Sequence, residues 1–248
     1  MSRLRHVAEA FVSLADTFGE QVDPLVLADR LVAHCVRLTG ATAAGIMMVT
    51  ARGRLRTVAV SDQRAELLEM LQLQTGEGPC VDCRRDGQVV AAPDLALSAD
   101  RWPRFTVLAR AAGFVGAYGI PVRIHGQVVG ALNLLCAGAV PLTDDDLDVA
   151  RAFAEVTATA MMQWRSDPAR PQDILTRVQS VVAAKASVET AQGMLAAAGG
   201  LSLADALGAL HAYSRQGGVR PTSAAQALLS RALTPEHILS AAARGARP

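Results

Sequence analysis

Cys80 and Cys83 are the first residues in this 248-residue chain whose type and spacing suggest chemistry. Two thiols separated by two residues can close a redox-active disulfide or supply half of a tetrahedral zinc site. If a helix begins at Pro79, Cys80 lies in its first turn, where the helix dipole and neighbouring arginines lower the pKa of a thiol. The interpretation we favour is structural: both cysteines are small, half-buried residues of a loop.

A zinc site requires four ligands, and the sequence contains no second cysteine or histidine pair at ligand spacing. The other two cysteines, Cys35 and Cys136, are far apart, which argues against a secreted disulfide framework. The aspartates around Asp146 follow Thr143 at a predicted helix start, where carboxylates favour the positive end of the dipole. We therefore predict reduced cysteines and no metal site, and the sequence identifies no cofactor.

Trp102 and Tyr118 are further candidates for contact with a ligand, in addition to Cys80 and Cys83. The indole of Trp102 can line a pocket or anchor a loop, and anchoring is the commoner role of a large aromatic side chain. Tyr118 lies on a predicted strand and its hydroxyl can face a ligand, although alternation alone does not fix its direction. No general base accompanies the thiols, so a thiol-based redox enzyme is the least favoured interpretation and we predict no catalytic residue.

Composition limits the class of protein. The chain is 51% hydrophobic with a net charge of +1, and its length suits one domain of about 150 residues and a smaller one. A nearly neutral chain does not coat nucleic acid through bulk electrostatics, which leaves only a local basic patch. No apolar run of about eighteen residues and no secretory apolar segment is present, so we expect a cytoplasmic protein without a membrane partner.

The first two thirds of the chain alternate between helical and strand patterns. Amphipathic helices are predicted at 7–18 and 24–38, and a long helix at 144–164. The strands pair as two hairpins, the second closed by His125-Gly126. This order of elements predicts an α+β domain with an antiparallel sheet and helices packed on it. The predicted strands are 42–49, 55–60, 115–124 and 127–136, with a helix at 63–72 between the hairpins.

Five short motifs carry a resemblance to a known family. They are Thr75-Gly-Glu-Gly-Pro-Cys80, Val89-Val90 with Pro93-Asp94, Arg101-Trp-Pro-Arg-Phe105, Gly119-Ile-Pro-Val122 and Gly130-Ala-Leu-Asn-Leu134. With these motifs, residues 23–165 resemble the GAF sensor family. The resemblance implies a small-molecule pocket between the sheet and the loop-rich side, serving a small ligand or a redox signal that the sequence does not identify.

The last third of the chain is rich in small residues at helical spacing. Val188, Ala191 and Leu195 form one apolar stripe, Gly199-Gly200 ends that helix, and Ser202 caps the next. Pro221 fits the first turn of a third helix. The pattern predicts a three-helix bundle at 173–235, joined to a first domain at 1–165 by a linker at 166–172 and followed by a C-terminal tail at 236–248.

These helices resemble the ANTAR family of bacterial RNA-binding antiterminators. The resemblance rests on Ala191-Gln-Gly193, Leu201-Ser202, Ala206, Leu210, Tyr213 and the spacing to Ala225. It implies, together with the GAF-like domain, a transcription antitermination regulator that binds a pair of structured RNA hairpins in nascent transcripts. Arginine forks suit phosphates, and an aromatic or imidazole plane can stack on a loop base. The predicted RNA contacts are Gln192, Gly193, His211, Tyr213, Arg215 and Arg220.

Departures from the ANTAR pattern keep a second interpretation open. The family's usual Ala-Lys-Gly is Ala191-Gln-Gly193 here, and Gly218-Val-Arg-Pro221 replaces a more basic run. The alternative is a protein-interaction or dimerisation module that no longer binds RNA. Apolar residues spaced by three and four, from Leu147 to Trp164 and again from Ile174 to Leu195, predict a parallel homodimer, with core packing inside one chain as the alternative.

Overall fold

The computed structural model describes residues 3–16, 23–163 and 174–245. The strands are β1 (Ala43–Val49), β2 (Leu55–Val60), β3 (Val90–Ala92), β4 (Gly116–Ile124) and β5 (Gln127–Cys136). They form one antiparallel sheet in the order β2-β1-β5-β4-β3. The helices of this first part are α1 (Arg3–Ala15), α2 (Pro24–Leu38), α3 (Gln63–Thr75), α4 (Pro79–Asp86), α5 (Pro103–Ala111) and α6 (Asp144–Gln163), with a short 3-10 helix at Leu95–Ser98. The predicted α+β class with an antiparallel sheet is confirmed.

The long hairpins form where the sequence predicts them. β4 and β5 pair from Gly116 and Cys136 to Ile124 and Gln127. His125 and Gly126 join them, with φ of 47° and 79°. Two residues at positive φ match the right-handed twist of the flanking strands, which is why glycine suits this turn. The sequence pattern does not predict β3, the 3-10 helix or α5.

Alternation along the strands divides the core of the first part into two layers. Side chains such as Ile46, Ile120 and Leu132 pack with α1, α2 and α6 on one face. Met47 and Ala131, at alternate positions, pack with α3, α4 and α5 on the other face. Because helices cover both faces, β1, β4 and β5 are buried almost throughout.

Four helices form the C-terminal part: α7 (Ile174–Gly199), α8 (Leu203–Gly217), α9 (Pro221–Leu229) and α10 (Pro235–Gly245). The Ser202 hydroxyl accepts a hydrogen bond from Asp205 N at 3.1 Å, which caps α8 as the sequence indicates. The prediction of a tail from residue 236 is wrong, because α10 buries Ile238 against the bundle. Thr234 followed by Pro235 is a helix-start signal that the tail prediction overlooks. Among the described helices, none alone has the length and apolar composition to cross a membrane; α7 and α8 pass that test only as a pair bent by 106°.

The apolar stripes predicted to join two copies are buried within one chain. Ala150 and Ala154 pack in the first part, and Val188 and Leu195 pack in the bundle. The alternative, packing inside one chain, therefore describes these residues. The homodimer stays a prediction, and these apolar stripes no longer support it. Trp164 and the predicted linker at 166–172 lie outside the described residues.

Asp23 joins the two parts of the structure. Its Oδ1 accepts a hydrogen bond from Leu25 N, at the start of α2, and its Oδ2 accepts one from Thr222 N, at the start of α9, both at 2.9 Å. The residue is 1% exposed. A single carboxylate thus caps two helices, one in each part.

Candidate functional site

The Thr75–Cys80 motif folds into a turn that ties three helices to the sheet. Gly76, at φ 71°, ends α3, and Gly78, at φ 120°, precedes α4. Between them, Oε2 of Glu77 accepts hydrogen bonds from the backbone of Arg104 (2.8 Å) and Phe105 (3.2 Å), at the start of α5. This local geometry explains the motif: both glycines sit at positive φ, and the glutamate caps a distant helix.

Two glycines in the sheet let α3 and α4 approach its backbone closely. The register places Asn133 of β5 opposite Gly45 of β1 on one side and Gly119 of β4 on the other. A Cβ at Gly45 would overlap Oε1 of Glu69, and a Cβ at Gly119 would overlap the carbonyl oxygen of Pro79. The carboxyl group of Glu69 therefore lies directly over the strand beside Asn133.

Glu69, Gln72 and Asn133, which we call the polar cluster, are fully buried in this apolar layer. Oε1 of Gln72 accepts a hydrogen bond from Cys80 N at 2.9 Å. Within the described residues, five polar atoms of the cluster have no hydrogen-bond partner: both carboxyl oxygens of Glu69, Nε2 of Gln72, and Oδ1 and Nδ2 of Asn133. Buried polar groups are normally paired, so the polar cluster has hydrogen-bonding capacity that the described residues do not use.

The electrostatics of the polar cluster favour an uncharged state. Burial raises the pKa of Glu69 from its ordinary value of 4.5 to about 8. The nearby Thr57 hydroxyl offsets part of this increase, although neither carboxyl oxygen makes a hydrogen bond of normal geometry. At pH 7 the carboxyl group is protonated, so it offers one O–H donor and a carbonyl acceptor beside two side-chain amides. This set matches a small ligand with uncharged hydroxyl, amide or carbonyl groups.

Burial favours the structural interpretation of Cys80 and Cys83 over the redox one. α4 begins at Pro79, as expected, but both cysteines are fully buried. Burial raises the pKa of Cys80 well above its ordinary value, with a further increase from Glu69, and raises that of Cys83 to about 12. The cost of burying a thiolate exceeds the modest stabilisation from a helix N-terminus, so burial disfavours the thiolate form that redox chemistry requires. Among the described residues, no group of three potential metal ligands occurs.

Comparison with known proteins decides the family. A model of the GAF domain matches residues 21–162, more than half of the chain. The chain belongs to the GAF family. The fold is similar to the GAF domain of a phosphoenolpyruvate-protein phosphotransferase from Coxiella burnetii, at 14% identity and a TM-score of 0.52, covering 68% of this chain and 97% of that one. The corresponding domain from Acinetobacter gives 13% identity, a TM-score of 0.51, and coverage of 70% and 100%. Comparison with curated protein sequences yields no match.

Membership of the GAF family indicates a signalling module that senses a small ligand. The polar cluster lies between the sheet and the α3–α4 turn, on the loop-rich side where the sequence resemblance expects the pocket. Cys80 and Cys83 line this region from α4 as packing residues. The C-terminal helices begin beyond the matched range, so their role rests on other observations.

Trp102 anchors the loop-rich side of the GAF domain. Its indole Nε1 donates a hydrogen bond to Oδ2 of Asp82 at 3.0 Å, and its ring packs edge-on against Phe105, with centroids 6.0 Å apart. The buried Asp82 also pairs with Arg101 and Arg85. The indole is therefore part of the packing between α4 and α5, the anchoring role that we favour from the sequence.

Asp82→Ala is expected to lower the free energy of unfolding by about 2–3 kcal/mol, because it leaves a buried indole N–H without its acceptor. Urea denaturation measures this loss. The control is Asp86→Ala on the same helix, where an exposed carboxylate pairs with Arg85; we expect a change within about 0.5 kcal/mol. Equal losses of unfolding free energy in the two variants would show that the hydrogen bond between Trp102 and Asp82 does not stabilise the fold more than an exposed ion pair does.

Tyr118 lies on the opposite face of the sheet from the polar cluster. Its hydroxyl accepts a hydrogen bond from Leu142 N at 3.1 Å, near the start of α6. The residue precedes Gly119 on β4, and successive side chains of a strand point to opposite faces. Tyr118 therefore packs in the layer of α1, α2 and α6, whereas Cys80 and Cys83 pack in the layer on the other face of the sheet.

The predicted RNA contacts do not form a single face. His211 and Arg215, one turn apart on α8, line a groove of about 420 Å³ with Asp29 and Arg30 of α2. Desolvation and Arg215 lower the pKa of His211, and desolvation in the groove raises the pKa of Asp29 to about 6, although part of the Asp29 side chain is exposed. Arg220 lies at the N-terminal cap position of α9. Part of the predicted RNA face thus lies against the GAF domain.

The remaining candidates lie elsewhere on the bundle. Nε2 of Gln192 donates a hydrogen bond to Leu203 O at 2.7 Å, and the neighbouring Gly193 has open space where a side chain would extend. The Tyr213 ring packs edge-on against His237 of α10, with centroids 5.9 Å apart. Residues two apart on a helix lie about 200° apart around its axis, so Tyr213 and His211 point in opposite directions.

Sequence reasoning missed the polar cluster. Asn133 is the single asparagine of the chain and lies inside the apolar run of β5. A polar residue at an interior position of a buried strand is a usable signal, because such positions otherwise hold apolar side chains. Glu69 and Gln72 give a weaker signal, since charged and amide side chains are common on exposed helix faces.

Proposed function

We propose that the protein is a signal-responsive, RNA-binding regulator of the cytoplasm. In this proposal the GAF domain binds a small uncharged ligand at the polar cluster. The C-terminal helices then bind paired hairpins of structured RNA and promote transcription antitermination. The RNA part rests on the ANTAR resemblance of residues 188–225 and on three successive helices over that range.

One contact carries the proposal that sensing and RNA binding are coupled. The side of α8 with His211 and Arg215 shares its groove with Val26, Asp29 and Arg30 of the GAF domain. The Asp23 carboxylate fastens the same junction by capping α2 and α9 together. In this arrangement the GAF domain partly covers His211 and borders the exposed Arg215, two of the predicted RNA contacts. Loosening the junction then increases RNA affinity, which gives the ligand a physical route to the output.

The test is a salt titration of binding to a two-hairpin RNA and to a scrambled RNA, using the full chain. We expect selective binding that weakens about tenfold or more in Arg215→Ala/Arg220→Ala, since each arginine contact to phosphate is charge-assisted. The control, Arg104→Ala/Arg110→Ala, removes two exposed arginines from α5 and leaves the affinity unchanged.

Asp23→Ala is the matched test of coupling, because it removes the shared cap of α2 and α9 and loosens the junction between the two parts; we expect tighter RNA binding. Asp62→Ala removes the cap of α3, inside the GAF domain, and controls for general destabilisation. Equal, weak binding of both RNAs by every variant would reject RNA recognition. Unchanged affinity in Asp23→Ala, with selective binding intact, would reject only the coupling.

A second candidate function is a protein-interaction or dimerisation module with a bundle that does not bind RNA. The observation in its favour is that Gln192 and Tyr213 already have partners within the bundle, Leu203 O and His237. Sedimentation analysis of the full chain, with and without RNA, distinguishes it. A dimer that is indifferent to RNA supports this candidate.

A further inference from the structure

A second concave site lies on the side of β2, between the β1–β2 turn and helix α7. It is an open groove of about 580 Å³. One wall carries Arg52, Arg54 and Arg56, and the other carries Gln179 and apolar residues of α7. We call it the arginine groove. Its lining residues include none of the polar cluster, which lies beneath α3 and α4.

Two of the three arginines in the arginine groove have no partner among the described residues. Arg56 forms an ion pair with Glu189 of α7, across the groove. Within the described residues, the guanidinium groups of Arg52 and Arg54 make no hydrogen bond or ion pair, and both residues are exposed. Both guanidinium groups line the same groove, so an anion bound there can use the N–H donors of both.

The backbone of the β1–β2 turn fixes the position of these arginines. Thr50 N donates to Arg54 O at 2.7 Å, Gly53 N donates to Thr50 O at 2.9 Å, and the Thr50 hydroxyl accepts from Arg54 N at 3.2 Å. The turn is therefore closed by three hydrogen bonds. The turn thus fixes the backbone positions from which Arg52 and Arg54 extend to the groove.

We propose that the arginine groove binds a multiply phosphorylated small molecule. Guanidinium forks match phosphate oxygens in pairs, and two of them are available here. Leu55, Leu73 and Val182 offer apolar contact for the organic part of the ligand. The volume lies within the usual range for small-molecule sites, about 300–1,000 Å³.

The position of the arginine groove gives such a ligand a regulatory effect. β2 belongs to the GAF domain and α7 is the first helix of the bundle, so the bound anion contacts both parts. Arg56 and Glu189 already bridge them. A phosphorylated ligand adds further contacts across the same junction and stabilises the docked arrangement. This binding is independent of the proposed RNA recognition.

The test is isothermal titration calorimetry of the full chain at physiological ionic strength. The probes are inorganic tripolyphosphate, ATP, and adenosine, which lacks the phosphates. We expect tripolyphosphate and ATP to bind, and adenosine to bind at least about tenfold more weakly. Arg52→Ala/Arg54→Ala lowers the affinity for tripolyphosphate and for ATP about tenfold or more, while it keeps the Arg56–Glu189 ion pair. Arg104→Ala/Arg110→Ala, with the same loss of charge on α5, leaves binding unchanged.

Three results would overturn the proposal. The first is no binding of either phosphate, and the second is equal weakening in both double variants, which indicates unspecific attraction. The third is loss of hairpin RNA binding in Arg52→Ala/Arg54→Ala without any tripolyphosphate binding, which would assign the groove to RNA. The proposed function is tested separately, by comparing the affinity for hairpin RNA of the native protein and of Arg215→Ala/Arg220→Ala.

Discussion

Gly119→Ala is expected to lower the free energy of unfolding by about 3 kcal/mol or more, although a methyl group is all that it adds. On an ordinary strand, alanine in place of glycine is favourable by about 0.5–1 kcal/mol. Here the new Cβ meets the carbonyl oxygen of Pro79 and presses on Cβ of Cys83. Both obstacles lie at the start of α4, where backbone must move to make room, and overpacking of this kind is costly.

Gly208→Ala is the matched control for this loss. Gly208 is exposed on α8, inside a helix, and nothing lies within 4 Å of the position of a new Cβ. We expect this variant to gain about 0.5–1 kcal/mol through helix propensity. Urea denaturation of both variants therefore gives opposite signs. A neutral or stabilising effect of Gly119→Ala would show that α4 does not rest on the sheet at this point.

Strand β4, which carries Gly119, shows which parts of the fold the sequence predicts and which it does not. The hairpin turn at His125-Gly126 and the strand alternation predict β4 and β5 almost to their ends, because these are local signals. The close approach of α4 to Gly119 is not local. It depends on which residues of three strands lie side by side, and a single sequence does not contain that register.

The candidate site shows the same limit. The motif Thr75–Cys80 draws attention to the turn beside the polar cluster, but burial disfavours the thiolate of its cysteine, and the polar groups nearby come from α3 and β5. The direction of the Tyr118 side chain stays open at the sequence level, because alternation gives two faces without saying which one faces the loops. The apolar stripe of α6 fits a coiled coil and a monomeric core equally well, since both require spacings of three and four.

Raising the pH from 5 to 8 is expected to destabilise the native protein relative to the Glu69→Gln variant, by about 1.4 kcal/mol per pH unit at the steepest. The cause is the buried carboxyl group, whose pKa rises from 4.5 to about 8 on folding. Below pH 4.5 the group is protonated in both the folded and the unfolded state, so pH has no effect through it. Between 4.5 and 8 the folded state keeps a proton that the unfolded state has lost, and stability falls as the pH rises.

Glutamine is the right comparison because it has the shape of the protonated acid and no charge to lose. Asp29, whose pKa is raised to about 6 by desolvation in its groove, also makes stability fall with pH at the lower end of this range. It does so equally in the native protein and in Glu69→Gln, so the difference between them isolates Glu69. The measurement is the free energy of unfolding in urea at pH 5, 6, 7 and 8 for both proteins. Parallel curves would mean that the Glu69 carboxyl group ionises normally in the folded state.

The same variant reports on the ligand. If the GAF domain recognises an uncharged group through the protonated acid, Glu69→Gln keeps a donor and an acceptor at that position and retains binding, whereas Glu69→Ala removes both and loses it. Above pH 8 the native carboxyl group becomes an anion and its donor disappears, so affinity for such a ligand falls in the native protein and stays constant in Glu69→Gln. A cationic ligand would behave in the opposite way, because the anion would then strengthen its binding.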